Sequence, residues 1–187
     1  MRVVFLLVLA GCASASVPAQ RPVERPRAES PKPDAHHPPA PPALTTDATE
    51  TALDEVATVH GAPGPWAVAG WRMSARALAR LGLPRGSFDL EVVHRTPREV
   101  RYSCIADGAA AHSGASLGKL NLSLADASAE GVETSFRNKR TGQTVILRPT
   151  PSFRERYADT PPAKARTLGR EVMGLRDSEI FVELSTL

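Results

Sequence analysis

Apolar residues change spacing several times along this chain, and each change predicts an element. Trp66, Gly70, Met73, Ala77 and Leu81 recur at helical spacing, with Arg72, Arg76 and Arg80 on an adjacent, wetter face. Pro65 suits a first helical position, and Gly82 with Pro84 ends the run, so the pattern predicts a helix from Pro65 to Leu81. Thr51 to Val59 predicts a shorter helix before it, and His60 then opens the turn between the two. Phe88, Leu90 and Val92 alternate as in a strand that breaks at Thr96-Pro97. Val100 to Cys104 reads as a second strand, with Asp107 capping a short helix through Ala111 and Gly114 ending it. Leu120 to Leu124 alternates again. Val132–Asn138 and Thr144–Leu147 flank Lys139-Arg-Thr-Gly142, a hairpin signal because glycine takes positive φ freely. Helices are predicted over Ser152–Tyr157 and Ala163–Met173, with Gly174 as a stop, and a short closing strand over Ile180–Val182. Helices mixed with antiparallel strands in this order imply an α+β domain, not a doubly wound sheet.

The first fifty residues carry a different pattern. Arg2 precedes a short apolar run, Val3 to Leu9, which is too brief to span a bilayer as a mature helix. Leu9-Ala-Gly-Cys12 follows and resembles the lipobox of bacterial lipoproteins, which implies cleavage after residue 11 and lipidation of Cys12. Ala13 and Ser14 come next, with no aspartate. By resemblance to lipoprotein sorting, that favours a periplasm-facing anchor in the outer membrane over the inner one. From residue 12 to 49, proline recurs among Ala, Ser and charges, a composition expected to form a disordered tether in which His36 and His37 are solvated. The expected organisation is therefore a signal peptide over 1–11, a lipidated cysteine and linker over 12–49, and one domain over 50–187.

Composition narrows the function classes. The formal charge is only +3, and no basic run interleaves with aromatics, so nucleic-acid binding is not expected. With Cys12 lipidated, Cys104 has no intrachain partner, and a lone thiol in an oxidising compartment is buried, metal-bound or paired with another chain. Around Cys104 the chain runs through small residues to Asp107, Gly118, Lys119 and Asn121. Glycine and alanine there let the backbone approach another element or a ligand closely.

Two stretches together resemble the FmdE/FwdE-like family, named for an accessory chain of formylmethanofuran dehydrogenase. His60-Gly-Ala-Pro-Gly-Pro, followed by Gly70-Trp-Arg-Met73, is similar to the family's His-Gly-His-x-Cys-Pro and Gly-Tyr-Arg-Met. Ser103-Cys-Ile-Ala-Asp107 and Leu117-Gly-Lys-Leu-Asn-Leu122 are similar to its Ser-Cys-x-x-Asp and Leu-Gly-Lys-Gly-Asn-Leu. The resemblance implies an FwdE-like α+β domain with antiparallel or mixed sheet and packed helices. It also implies a site where His60 and Cys104 hold zinc or another divalent transition metal, with Asp107, Lys119 and Asn121 binding or supporting a ligand. Lys119 would favour the thiolate, and Arg72 and His112 could join the site. The departures are the family's second His, which is Ala62 here, and two family cysteines, which fall on Gly64 and Ala115.

Three functions stay open at this point. One is a membrane-tethered domain that binds a metal ion or small ligand. Another is a hydrolase or transferase with Cys104 as nucleophile, His60 as base and Asp107 as orienter. The third is a non-catalytic envelope protein that recruits a partner, with self-association into a homodimer also open.

Overall fold

The structure is a computed structural model that describes residues 45–184. The expected signal peptide, Cys12, the expected tether up to residue 44 with His36 and His37, and residues 185–187 lie outside the described residues.

The chain begins with α1 (Thr46–His60), capped by the Thr45 hydroxyl, which accepts from the Ala48 N–H. This helix starts inside the stretch expected to be linker, and it includes His60, which the sequence pattern places in the following turn. Gly61 (φ 87°) ends it. Next come α2 (Pro65–Leu81), with Gly64 before it and left-handed Gly82 after it, and β1 (Leu90–Thr96). The rest is α3 (Val100–Ser113), β2 (Leu122–Asp126), β3 (Glu133–Asn138), β4 (Thr144–Pro149), α4 (Pro151–Arg156), α5 (Ala165–Gly174), α6 (Asp177–Ile180) and β5 (Phe181–Leu184).

Val100–Cys104 is the clearest departure from expectation, being the start of a helix and not a strand. Val100 and Tyr102 favour strands locally. However, Tyr102, Ile105, Ala106, Ala109 and Ser113 are all buried, at helical spacing. Small side chains carry little apolar signal, which hides the period. They also allow a close approach to α2: a Cβ on Gly108 would lie 1.6 Å from the Ala67 carbonyl oxygen, and one on Gly70 2.0 Å from that of Ile105. Tertiary packing against α2 therefore decides the conformation of α3.

Five strands form one mixed sheet in the order β2-β1-β3-β4-β5. β1 and β2 are parallel, with Val92 opposite Leu122 and His94 opposite Leu124, and α3 is their crossover. The remaining pairs are antiparallel, and Gly142 (φ 78°) turns the β3–β4 hairpin. The architecture is thus α+β, as expected. Leu90, Val92, Phe136, Val145 and Leu147 line the helix side of the sheet and are buried against Met73, Leu78 and Ile105. The other side carries Arg95 and Arg148 about Glu133. No helix among the described residues is long and apolar enough to cross a membrane.

Candidate functional site

Antiparallel packing of α1 on α3 brings the end of α1 to the amino-terminal half of α3. There the His60 ring meets Asp107, with Nδ1 2.8 Å from Oδ2. The His60 side chain is 22% exposed and that of Asp107 48%, so the pair sits at a rim open to solvent. A carboxylate only accepts, so Nδ1 carries the proton and donates. In the neutral ring that leaves the Nε2 lone pair as the remaining acceptor. An Asp–His bond of this kind fixes ring orientation and tautomer, as it does for histidines that bind metals or act as bases. Asp107 lies on the second turn of α3 and does not cap a short helix as expected.

Cys104 sits one turn before Asp107, on the same side of α3. Its thiol donates to the Val100 carbonyl (2.8 Å) and is buried in the hydrophobic core. Burial, reinforced by the Asp107 charge, pushes the thiol up to about 11. A thiol that stays protonated at neutral pH is a poor nucleophile and a poor metal ligand. His60 and Cys104 both neighbour Asp107, but the carboxylate serves the ring and works against the thiolate.

Lys119 and Asn121 are placed elsewhere. The Lys119 ammonium donates to the Gly114 carbonyl (2.8 Å) just past the carboxyl end of α3, and lies over the Phe88 ring. Gly114 is ten residues from Cys104, about 15 Å along a helix. Lys119 therefore does not support the thiolate and instead satisfies a helix-end carbonyl. The Asn121 side-chain oxygen accepts from the Ser116 N–H (3.0 Å), which closes the loop between α3 and β2, while its amide nitrogen is buried without a partner.

His112 and Arg72 are also committed to packing. His112 Nδ1 lies 3.2 Å from the Ser74 hydroxyl, and its ring packs edge-on against Trp71. Burial, with help from the Arg85 charge, lowers His112 to about 4. Arg72 donates to the carbonyls of Val172 and Met173 and pairs with Asp177, so it ties α2 to the end of α5 and not to the His60 rim.

One buried polar residue escapes the sequence pattern. His94 is fully buried, with Nε2 3.0 Å from the Tyr102 carbonyl and Nδ1 2.9 Å from the Thr134 hydroxyl. Burial lowers it to about 4. The available signal is its place two residues after Val92, on the apolar face of β1. Both ring nitrogens are occupied, so it holds α3 to the sheet.

The donor set does not fit a closed zinc site, which needs three or four protein ligands. Among the described residues, no group of three or more His, Cys, Asp or Glu side chains could hold a metal ion. The substituted family positions also diverge in space. A Cβ at Gly64 would approach Ala165 at 4.0 Å, whereas Ala115 is buried beyond the other end of α3.

Comparison with known proteins agrees with the motif reading. The family described as FmdE, Molybdenum formylmethanofuran dehydrogenase operon, matches residues 59–182, well over half of the chain. That span takes in His60, Cys104, Asp107, Lys119 and Asn121. No curated protein matches the chain. On the family match and the α+β architecture, the chain belongs to the FmdE family, one associated with metal binding in general.

Proposed function

We propose that this protein is a lipid-anchored, extracytoplasmic FmdE-family domain that binds a small protic ligand through His60. The observation that carries the reading is the 2.8 Å bond from His60 to Asp107 at a solvent-facing rim. It fixes the ring and leaves Nε2 of the neutral imidazole to accept from an O–H or N–H group. Cys104 forms part of the apolar floor beneath the rim, in place of a nucleophile or a resident metal ligand. The anchor rests on Leu9-Ala-Gly-Cys12, and outer-membrane placement on Ala13 and Ser14 after it.

The test is a thermal-shift screen of small alcohols, amines and carboxylic acids against the purified chain, with Zn²⁺ as a separate arm. At least one protic compound should raise the melting temperature, and His60→Ala and Asp107→Ala should each abolish the shift. Stabilisation that survives His60→Ala counts against the His60 site. Stoichiometric zinc in tag-free protein, lost in both His60→Ala and Cys104→Ser, would replace this reading with a metal centre. Cys12→Ser should abolish incorporation of labelled fatty acid, and unchanged labelling would remove the anchor.

A further inference from the structure

Three loops leave the same end of the sheet. Leu90 pairs with Asn138, and the parallel register that sets Val92 against Leu122 puts Leu120 level with Leu90. Residues 82–89, 114–121 and 139–143 therefore lie beyond that end. The Lys139 N–H donates to the Asp89 carbonyl (2.7 Å), and the Gly86 N–H to that of Ser113 (2.7 Å), which ties the first loop to the other two. Their tips are apolar: Phe88 (68% exposed), Leu117 (72%) and Leu120 (92%) stand in solvent. Leu120 is also the one non-glycine residue with positive φ (53°) among the described residues. A leucine is thus held in a conformation that favours glycine while burying almost none of its own surface.

The same loops are basic, with Arg85, Lys119, Lys139 and Arg140 against Asp89 as their one acid. Arg85 and Lys119 are tied inward, to the α3 carbonyls and Glu55 and to the Gly114 carbonyl. The hairpin cations are not. Lys139 is exposed and makes no ion pair among the described residues, and the largely exposed Arg140 reaches Asp89 only at 3.7 Å. The start of α1 points to this end as well, since Glu55 pairs with Arg85 (2.9 Å) and His60, further along the helix, meets Asp107. Thr45, where the chain from Cys12 enters the domain, therefore lies on the loop side, and the His60 rim on the other.

We infer that the three loops form a membrane-contact face. Phe88, Leu117 and Leu120 seat at the acyl boundary of a bilayer, and Lys139 and Arg140 lie among anionic headgroups. Separate apolar points on loop tips suit a bilayer, which closes around each of them, better than a protein partner, which needs one continuous complementary face. The choice of a bilayer rests on the anchor proposed at Cys12, whose chain enters the domain at this end. Docked in this way, the domain turns the His60 rim toward the water.

The full chain carrying Cys12→Ser tests this without help from an attached lipid. It is mixed with vesicles of phosphatidylcholine and phosphatidylglycerol that have brominated acyl chains, and the emission of Trp66 and Trp71 is the baseline. A reporter placed by Phe88→Trp should be quenched, whereas one placed by Val59→Trp, beside His60, should not. On the Phe88→Trp background, Lys139→Glu with Arg140→Glu should weaken partitioning at least about tenfold. Leu120→Gly should weaken it at least about threefold without lowering the melting temperature, because glycine adopts this φ freely. Equal quenching of both reporters, quenching of neither, or a doubly charge-reversed variant that partitions like its parent overturns the inference. A concentration-dependent dimer in vesicle-free sedimentation, lost in Leu120→Gly, would give the face to a second copy instead. Failure of fatty-acid labelling at Cys12 would remove the anchor and leave this readout intact, so the two readings fail separately.

Discussion

The two ends of α3 are built from one run of family-like residues, yet they do different work. At the carboxyl end most of the prominent groups are tied inward. Arg85 donates to the carbonyls of Ala111 and His112, pairs with Glu55 of α1, and Glu55 in turn accepts from Trp71 of α2. Lys119 satisfies Gly114, and Asn121 satisfies Ser116. At the amino-terminal half, His60 and Asp107 bond one another at a rim open to solvent and leave Nε2 of the neutral ring as a spare acceptor. Residue types that suggest chemistry are therefore poor guides alone. What separates a site from a scaffold is whether a polar atom remains unspent on a residue that solvent can reach.

Both ends depend on the α2–α3 contact between them, and breaking it should have the largest effect. Gly108→Val places a branched side chain where even a Cβ would lie 1.6 Å from the Ala67 carbonyl oxygen. Since backbone cannot move aside cheaply, a loss of about 4 kcal/mol or more is expected, in the range of severe overpacking. Denaturant unfolding, or failure to recover soluble protein, reads it out. Near-parental stability would mean that the helices do not meet as described.

Acid should distinguish the closed end next. His112 is held at about 4, below its ordinary 6.5, chiefly by burial. Between those values the unfolded chain binds a proton that the folded chain refuses, so stability falls as pH drops from 6.5 toward 4. The loss from this one ring is up to about 3 kcal/mol. His94 adds a slope of the same sign over the same window. His112→Asn should flatten the pH dependence of unfolding free energy. Identical slopes in the parent and His112→Asn would contradict the buried-ring assignment.

How much of this is legible in the sequence follows the size of the side chains. The run Trp66, Met73 and Leu81 has large apolar residues at a clear period, and α2 has the bounds its sequence announces. The hairpin is equally readable, because Gly142 marks the turn. The start of α3 reads wrongly as a strand because Cys104, Ala106, Gly108 and Ala109 give almost no periodic contrast. Their meaning lies in a close approach to Ala67 and Gly70, which no local pattern contains. The motif blocks disclose the family and the residues around His60. They do not disclose that α3 is a helix long enough to carry Lys119 and Asn121 away from Cys104. That separation is a consequence of about 1.5 Å of rise per residue.

Lys119→Met sharpens the comparison at a smaller scale. It removes the donor to the Gly114 carbonyl and a cation at a helix carboxyl end, which together are worth about 1 kcal/mol. Chemical denaturation should register that loss. Alkylation of Cys104 by iodoacetamide should proceed at the parental rate, because no cation near the thiol has been taken away. A slower rate would restore Lys119 to the thiol's surroundings.

The smallest effect should come from Asp107→Asn, and it acts in the opposite sense at the other end. The thiol is raised to about 11 first by burial and then by the Asp107 charge. Asparagine keeps the shape and removes the charge, so the thiol should titrate lower and alkylation at a fixed pH should quicken. Burial remains the larger cause, which limits the gain to less than about tenfold, one unit of pKa. His60 would lose its carboxylate acceptor at the same time, yet Nδ1 could still donate to the amide oxygen, so the fold should hold. Alkylation rates measured across pH in folded protein separate a change in titration from a change in access. A shifted midpoint with an unchanged plateau is the expected signature of a carboxylate that orients the histidine while suppressing the thiolate. A raised plateau with an unshifted midpoint would mean that Asp107 merely shields the sulfur.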